Sequence, residues 1–424
     1  MQTSTQSAER VFSATNSLEM AMLCCYVRTH PSQADIDSVK KHFNRKVDWA
    51  LLFQLARVHG VMPLLYQGLT TMQTEAIPKG FLTQLKTHLH LNTLKNQRLS
   101  QELLRLLALL EAHNIPAVAF KGPTLAVLAY GSLARRQFGD LDILVAETDF
   151  LRAQTLLLED GYLRGYKSAS LDDTEAQDLA IMKRWGEYPL RHPEGLVTVD
   201  LHGRLIGGEF PLLSANFESF WENRVPITVL NTSLQSFCPE DMLIYLCIHG
   251  AKDFWKKLSW VCDIAALIET YPSMNWSRLI QQAQHLECEQ MLLLGLSLTQ
   301  AVLAVALPEP VAEHLKNRFK KRSLQLYIQA RLLRSDYLKN VDIGNLQLLR
   351  FHGQLIENRQ DQWRYLLTFS AQWILHRIQP NIKDSDFVSL PRRFYWFYYL
   401  IRPFRLLSKF LESTLKIHSP KQTD

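Results

Sequence analysis

Ala119-Phe120-Lys121-Gly122-Pro123 and, within twenty residues, Arg136-Gln137-Phe138-Gly139-Asp140-Leu141-Asp142-Ile143-Leu144-Val145 decide how this chain is read. The order is a buried strand, a glycine turn, a helix, and a second strand carrying two aspartates. Residues two apart on a strand share a face, so Asp140 and Asp142 are expected to project together while Leu141, Ile143 and Val145 enter the core. Paired carboxylates on a rigid strand are ligands for a hard divalent cation. A glycine turn opening a helix offers free backbone N–H groups to phosphate. Together these features predict metal-assisted nucleotidyl transfer.

The Asp-x-Asp pattern occurs elsewhere and carries little by itself. Asp35-Ile36-Asp37 follows Ser32 and reads as a helix cap, and Asp384-Ser385-Asp386 reads as a polar turn before Pro391. Only at Asp140 and Asp142 do apolar residues interleave, a glycine turn precede, and a further strand carboxylate follow. That carboxylate is Asp200. Tyr188–Arg191 and Leu196–Leu201, joined by His192-Pro193-Glu194-Gly195, read as a hairpin. In its second strand Val197, Val199 and Leu201 alternate with Thr198, Asp200 and His202.

The chemistry follows from the residue types. Two Mg²⁺ ions, or Mn²⁺ in their place, about 3.5–4 Å apart need bridging carboxylates, the role expected of Asp140 and Asp142. Asp200 would complete the metal site on the side of the attacking hydroxyl and accept its proton. Gly122 would cradle the nucleotide phosphates, with Lys121 or Arg136 offsetting charge that develops on them. The alternatives are a surface role for Lys121 and a salt bridge from Arg136 to the aspartates.

Composition sets outer bounds. With 424 residues, 47% hydrophobic and 21% charged, the chain has room for two or three domains and at least one large core. The polar start, Met1 to Arg10, lacks the apolar region of a secretory signal, and no apolar run is long enough to span a bilayer. The six cysteines, Cys24, Cys25, Cys238, Cys247, Cys262 and Cys288, show no zinc-site spacing and read as reduced core residues of a cytoplasmic protein. The net charge of +6 is uneven: residues 391–421 hold seven basic residues and one acidic residue, Glu412, so the remainder is close to neutral.

Helical periodicity marks residues 16 to 75, with Ile77-Pro78 as a boundary. Leu99, Leu103, Leu106 and Leu110 then form a narrow apolar stripe that Asn114-Ile115-Pro116 ends. Thr148 is expected to cap a helix that stops at Gly161. From Cys238-Pro239-Glu240-Asp241 onward the pattern is helical. The expected divisions are a helical region over 1–77, an α/β core over 78–230, a helical domain over 231–390 and a basic aromatic tail over 391–424.

These pieces resemble the DNA polymerase beta-like nucleotidyltransferase superfamily, specifically its bacterial "nucleotidyltransferase family protein" group. The resemblance runs from about Trp49 to about Pro310. It rests on Val47-Asp48-Trp49, His59-Gly60-Val61-Met62-Pro63-Leu64-Leu65-Tyr66, Ile115-Pro116 leading to Lys121-Gly122, and Arg136 with Gly139-Asp140-Leu141-Asp142. Asp200-Leu201-His202, Cys238-Pro239-Glu240-Asp241, His249-Gly250-Ala251-Lys252, Trp255 and Trp260-Val261-Cys262-Asp263 continue it. It implies an α+β fold: a small mixed-sheet nucleotidyltransferase core flanked by N-terminal and larger C-terminal all-helical regions. Its activity would be Mg²⁺-dependent transfer of an NMP from an NTP to a hydroxyl of a small molecule, sugar, RNA or protein, with pyrophosphate released. The alternative is a catalytically silent nucleotide-binding or scaffold protein on the same fold.

The superfamily's glycine motif usually reads Gly-Gly or Gly-Ser, which Gly131-Ser132 matches literally. Ile115–Phe120 makes the better preceding strand, which favours Gly122. The group tends to have Glu and Trp where this chain has Asp200 and Gly203. Related enzymes place a helical-domain lysine on the triphosphate, the role the resemblance gives Lys252. His249 and Asp263 read more simply as a buried pair locking two helices. The tail from Phe394 to Arg405 has three readings: a stacking surface for nucleic acid, an interfacial membrane helix in contact with an anionic surface through 391–421, or a helix docked on the bundle with snorkelling arginines.

Overall fold

A computed structural model describes residues 17–28, 47–71, 77–165, 175–208, 218–334, 345–356, 359–378, 388 and 391–405. Asp35 and Asp37, Asp384 and Asp386, and the tail beyond 405 lie outside them.

The helices α1 (Leu18–Tyr26), α2 (Trp49–Val58) and α3 (Met62–Thr71) come first, followed by α4 (Lys79–Ala112), 34 residues long. Asp48 caps α2, its carboxylate accepting from Leu51 N–H at 2.9 Å. The α4 stripe is fully buried: Leu99, Leu103, Leu106 and Leu110 are each at most 1% exposed. Asn114, at φ 55°, turns the chain out of the helix.

The core follows as β1 (Ala117–Ala119), α5 (Gly122–Tyr130), β2 (Leu141–Val145), α6 (Phe150–Glu159), β3 (Leu163–Arg164), α7 (Glu175–Trp185), β4 (Glu187–Arg191) and β5 (Thr198–His202). The five strands form a mixed sheet in the order β1-β2-β5-β4-β3, in which only β2 and β5 run parallel. The expected hairpin is β4–β5, with Gly195 in its turn at φ 71°. Thr148 is not a cap. It lies within a 3₁₀ turn, Glu147–Asp149, and α6 starts one residue after that turn without a side-chain cap bond.

After α8 (Glu218–Glu222) comes a second hairpin, β6 (Val225–Val229) with β7 (Thr232–Ser236), which the sequence pattern did not reveal. Its two-residue turn is Leu230-Asn231, at φ 47° and 66°, rather than the glycine-bearing pair that normally signals such a turn. Position 230, the expected end of the core, falls inside this turn. The remaining helices are α9 (Pro239–Lys252), α10 (Leu258–Thr270), α11 (Trp276–His285), α12 (Glu289–Leu303), α13 (Glu309–Arg318), α14 (Arg322–Leu332), α15 (Asn345–Leu355) and α16 (Arg359–Ile378).

The chain is thus α+β, with a small mixed sheet between helical regions. One apolar cluster runs through all of them, from Met20 and Leu52 through Val118, Ile143 and Leu201 to Leu246, Ile264 and Leu294. The six cysteines are all buried and unbridged.

Candidate active site

The parallel pairing of β2 with β5 sets the floor of the site. Asp142 stands opposite Asp200 in register, so the two side chains leave the same face of adjacent strands. Asp140 lies one residue before β2, in a bend rather than on the strand as expected. Above this floor is a cleft of about 670 Å³ lined by Lys121, Gly122, Arg136, Asp140, Asp142, Asp200 and Lys252, all seven of the residues singled out from sequence. Glu187, His249, Lys95, Arg57 and Lys257 also line it.

Lys121 is not a surface lysine. Its ammonium is buried against Asp142, Nζ to Oδ1 at 2.6 Å, and stands 5.8 Å from the ring centres of Phe120 and Tyr245. Burial works against this charge, but the Asp142 carboxylate holds the lysine pKa well above its ordinary value. Burial likewise works against ionised Asp142, yet Lys121 and His202 bring its carboxyl well below the usual range. His202 Nε2 lies 3.3 Å from the same Oδ1 and 3.5 Å from Glu187 Oε2. Asp142 Oδ2 is buried with no hydrogen-bond partner among the described residues.

Asp200 is in the opposite condition. Burial first, and then the charges of Asp142, Glu187 and Asp140, push its pKa up to about 7. It has surplus negative charge around it and, among the described residues, no ion-pair partner.

Gly122 has φ +52°, and a Cβ there would meet the Asp140 carbonyl oxygen at 3.2 Å. A glycine is therefore required where the turn passes the aspartate loop. Gly131 has open space around it, ends α5 in the left-handed conformation and does not line the cleft. Lys121-Gly122 is the turn at the site, and Gly131 is a helix terminator. Gly203 packs against Met182, whose sulfur would lie 2.6 Å from a Cβ, which leaves no room there for a tryptophan.

Arg136 lines the cleft but spends its guanidinium on Asp263 of α10, with contacts of 3.0 Å from Nε to Oδ1 and 3.1 Å from Nη2 to Oδ2. Tyr130 donates to the same carboxylate at 2.9 Å. Asp263 therefore pairs with Arg136, not with His249, and Arg136 bridges the core to α10 instead of reaching Asp140 or Asp142. His249 sits between the rings of Tyr245 and Trp260, and burial together with nearby Lys121 and Lys252 lowers its pKa. Its Nδ1 lies 3.9 Å from Asp253 Oδ2, which works against that lowering.

The loop leading to Asp140 is pinned by side chains whose role the sequence did not disclose. Buried Asn96 donates to the carbonyls of Leu133 and Arg136 at 2.6 and 2.8 Å, and Asn92 donates to Arg136 O at 3.1 Å. Gln137 accepts from Met62 N–H at 3.3 Å. An asparagine interrupting the apolar stripe of α4 was the available signal for Asn96. For Glu187, it was that β4 pairs with β5, which places Glu187 opposite His202.

Among the described residues no group of three His, Cys, Asp or Glu side chains is arranged to hold a metal ion as it stands, and Lys121 already contacts one oxygen of Asp142. The donor chemistry nonetheless fits a hard cation. Asp142 and Asp200 leave one face of adjacent strands, one buried carboxylate oxygen has no hydrogen-bond partner among the described residues, and burial together with the surrounding carboxylates raises the Asp200 pKa.

A family model described as an uncharacterised nucleotidyltransferase matches residues 45–304, more than half of the chain. The chain belongs to that nucleotidyltransferase family. The match covers nearly all of the segment, about Trp49 to about Pro310, on which the resemblance to nucleotidyltransferases was read. The chain is also similar to the crystal structure of an antigenic nucleotidyltransferase-like protein from Paracoccidioides brasiliensis, at 14% identity and a TM-score of 0.28, over 52% of this chain and 96% of that one. Likeness at that level carries no argument about the site. No curated protein matches the chain.

Proposed function

We propose that this nucleotidyltransferase family member moves a nucleoside monophosphate from an NTP to a hydroxyl acceptor and releases pyrophosphate. The observation that carries the reading is the register of Asp142 opposite Asp200 beneath a cleft that the Lys121-Gly122 turn also enters. Asp140, Asp142 and Asp200 would hold Mg²⁺, which when bound supplies Lewis-acid stabilisation of the phosphate oxygens. The backbone N–H groups that open α5 face the phosphates, and Lys252, from the end of α9, neutralises the triphosphate. The acceptor oxygen bonds to the α-phosphorus as the bond to the bridging oxygen of the β-phosphate breaks. Asp200, when ionised, takes the hydroxyl proton. Arg136 acts as a positioning residue, fixing the aspartate loop through Asp263.

One observation favours a second reading, a nucleotide-binding protein without turnover: Lys121 already neutralises Asp142 as a cation would. Calorimetry separates them. Transferase function requires Mg²⁺ to strengthen binding of a non-hydrolysable NTP analogue, and Asp142→Asn to abolish that gain. Equal binding with and without Mg²⁺ in the wild type counts against transfer.

A further inference from the structure

The start of the tail is amphipathic in the inverted sense. A 3₁₀ helix, Arg392–Phe397, runs into a helix over 398–405. In that helix Tyr398 and Arg402, four apart, are buried, with Tyr398 donating to Val388 O at 2.9 Å. The opposite face is apolar and open to solvent: Tyr399 is 49%, Leu400 54% and Phe404 73% exposed. Trp396, 58% exposed, stacks on Phe397 with ring centres 3.9 Å apart and extends this face. A docked helix with snorkelling arginines would bury its aromatics and expose Arg402. Here Arg402 is buried beside Tyr398, while Trp396, Tyr399 and Phe404 are exposed.

From this outward apolar face we infer that the tail is an interfacial anchor for an anionic lipid bilayer. Large aromatic and aliphatic side chains on one helix face, with tryptophan and tyrosine among them, suit the boundary between headgroups and acyl chains. The partner's sign follows from composition, since residues 391–421 carry, besides the buried Arg402, six basic residues against one acidic residue. An aliphatic leucine beside Phe404 suits acyl chains, whereas nucleic acid asks for planar faces alone. No helix among the described residues is long and apolar enough to cross a membrane, so the contact is a surface one.

Co-sedimentation of the full chain with vesicles tests this, comparing phosphatidylcholine alone with phosphatidylcholine containing about 30% phosphatidylglycerol. Binding to the anionic vesicles that weakens with salt is expected. Trp396→Ser with Phe404→Ser should lower it by about tenfold or more while leaving thermal stability unchanged, because both side chains are outside the core. Absence of vesicle binding at low salt overturns the inference, as does undiminished binding by the double variant. Loss of thermal stability in that variant also overturns it, because the face would then be a packed one. Selective binding of single-stranded RNA that depends on the same two residues would give the surface to nucleic acid instead.

Discussion

Lys121 divides the two readings of the cleft. Its contact with Asp142 is buried on both sides, and removing one partner of such a pair costs about 3–5 kcal/mol because the other charge is left unpaired. Lys121→Met should therefore lower stability by about that amount, and adding Asp142→Asn should restore most of it. Urea unfolding of both single variants and the double variant checks this coupling. Asp200 gives a prediction of opposite sign. Its folded pKa of about 7 lies above the ordinary 3.8, so its contribution is fully present below the ordinary value and is lost as pH rises toward 7. In metal-free protein, Asp200→Asn should raise the melting temperature at pH 8 and leave it nearly unchanged at pH 4. An equal shift at both values would show that the Asp200 charge is not frustrated.

At the scale of elements, the two strands that build the floor were legible because period-2 alternation survives in Leu141–Val145 and Val197–Leu201. The bend that takes Asp140 off β2 was not legible, and the loop before it is held by contacts to Asn92, Asn96 and Met62 from helices distant in sequence. The partner of Asp263 was misread for the same reason. Helix spacing suggests His249, whereas the tertiary contact supplies Arg136. Gly122→Ala should cost about 1–3 kcal/mol and displace the Asp140 loop, because it combines a left-handed φ with a 3.2 Å contact to the Asp140 carbonyl. Gly131→Ala, at φ +63° in open space, should cost about 1–2 kcal/mol without disturbing the site. Chemical denaturation together with NTP binding distinguishes these outcomes.

For the whole molecule, the sequence correctly indicated a small mixed sheet between helical regions, and one apolar cluster runs through them. The β6–β7 turn straddles position 230, Thr270 of α10 donates to Ala129 O at 2.8 Å, and Asp263 ties α10 to Tyr130 and Arg136. A fragment of residues 78–230 should consequently fail to give a cooperative thermal transition, while the full chain gives one; circular dichroism decides this. The site draws on the same assembly, since Asp142 and Asp200 come from the sheet, Lys252 from α9 and the loop clamp from α4. The proposed nucleotidyl transfer would take place in that cleft. Its most direct test is incubation of the purified chain with α-³²P-labelled NTPs, Mg²⁺ and cell extract, beside the same reaction with Asp142→Asn. The α-label should join an acceptor as pyrophosphate appears, and the variant should lose this transfer by about a thousandfold or more while keeping its fold. Transfer of γ-label in place of α-label, or undiminished transfer by Asp142→Asn, would contradict it.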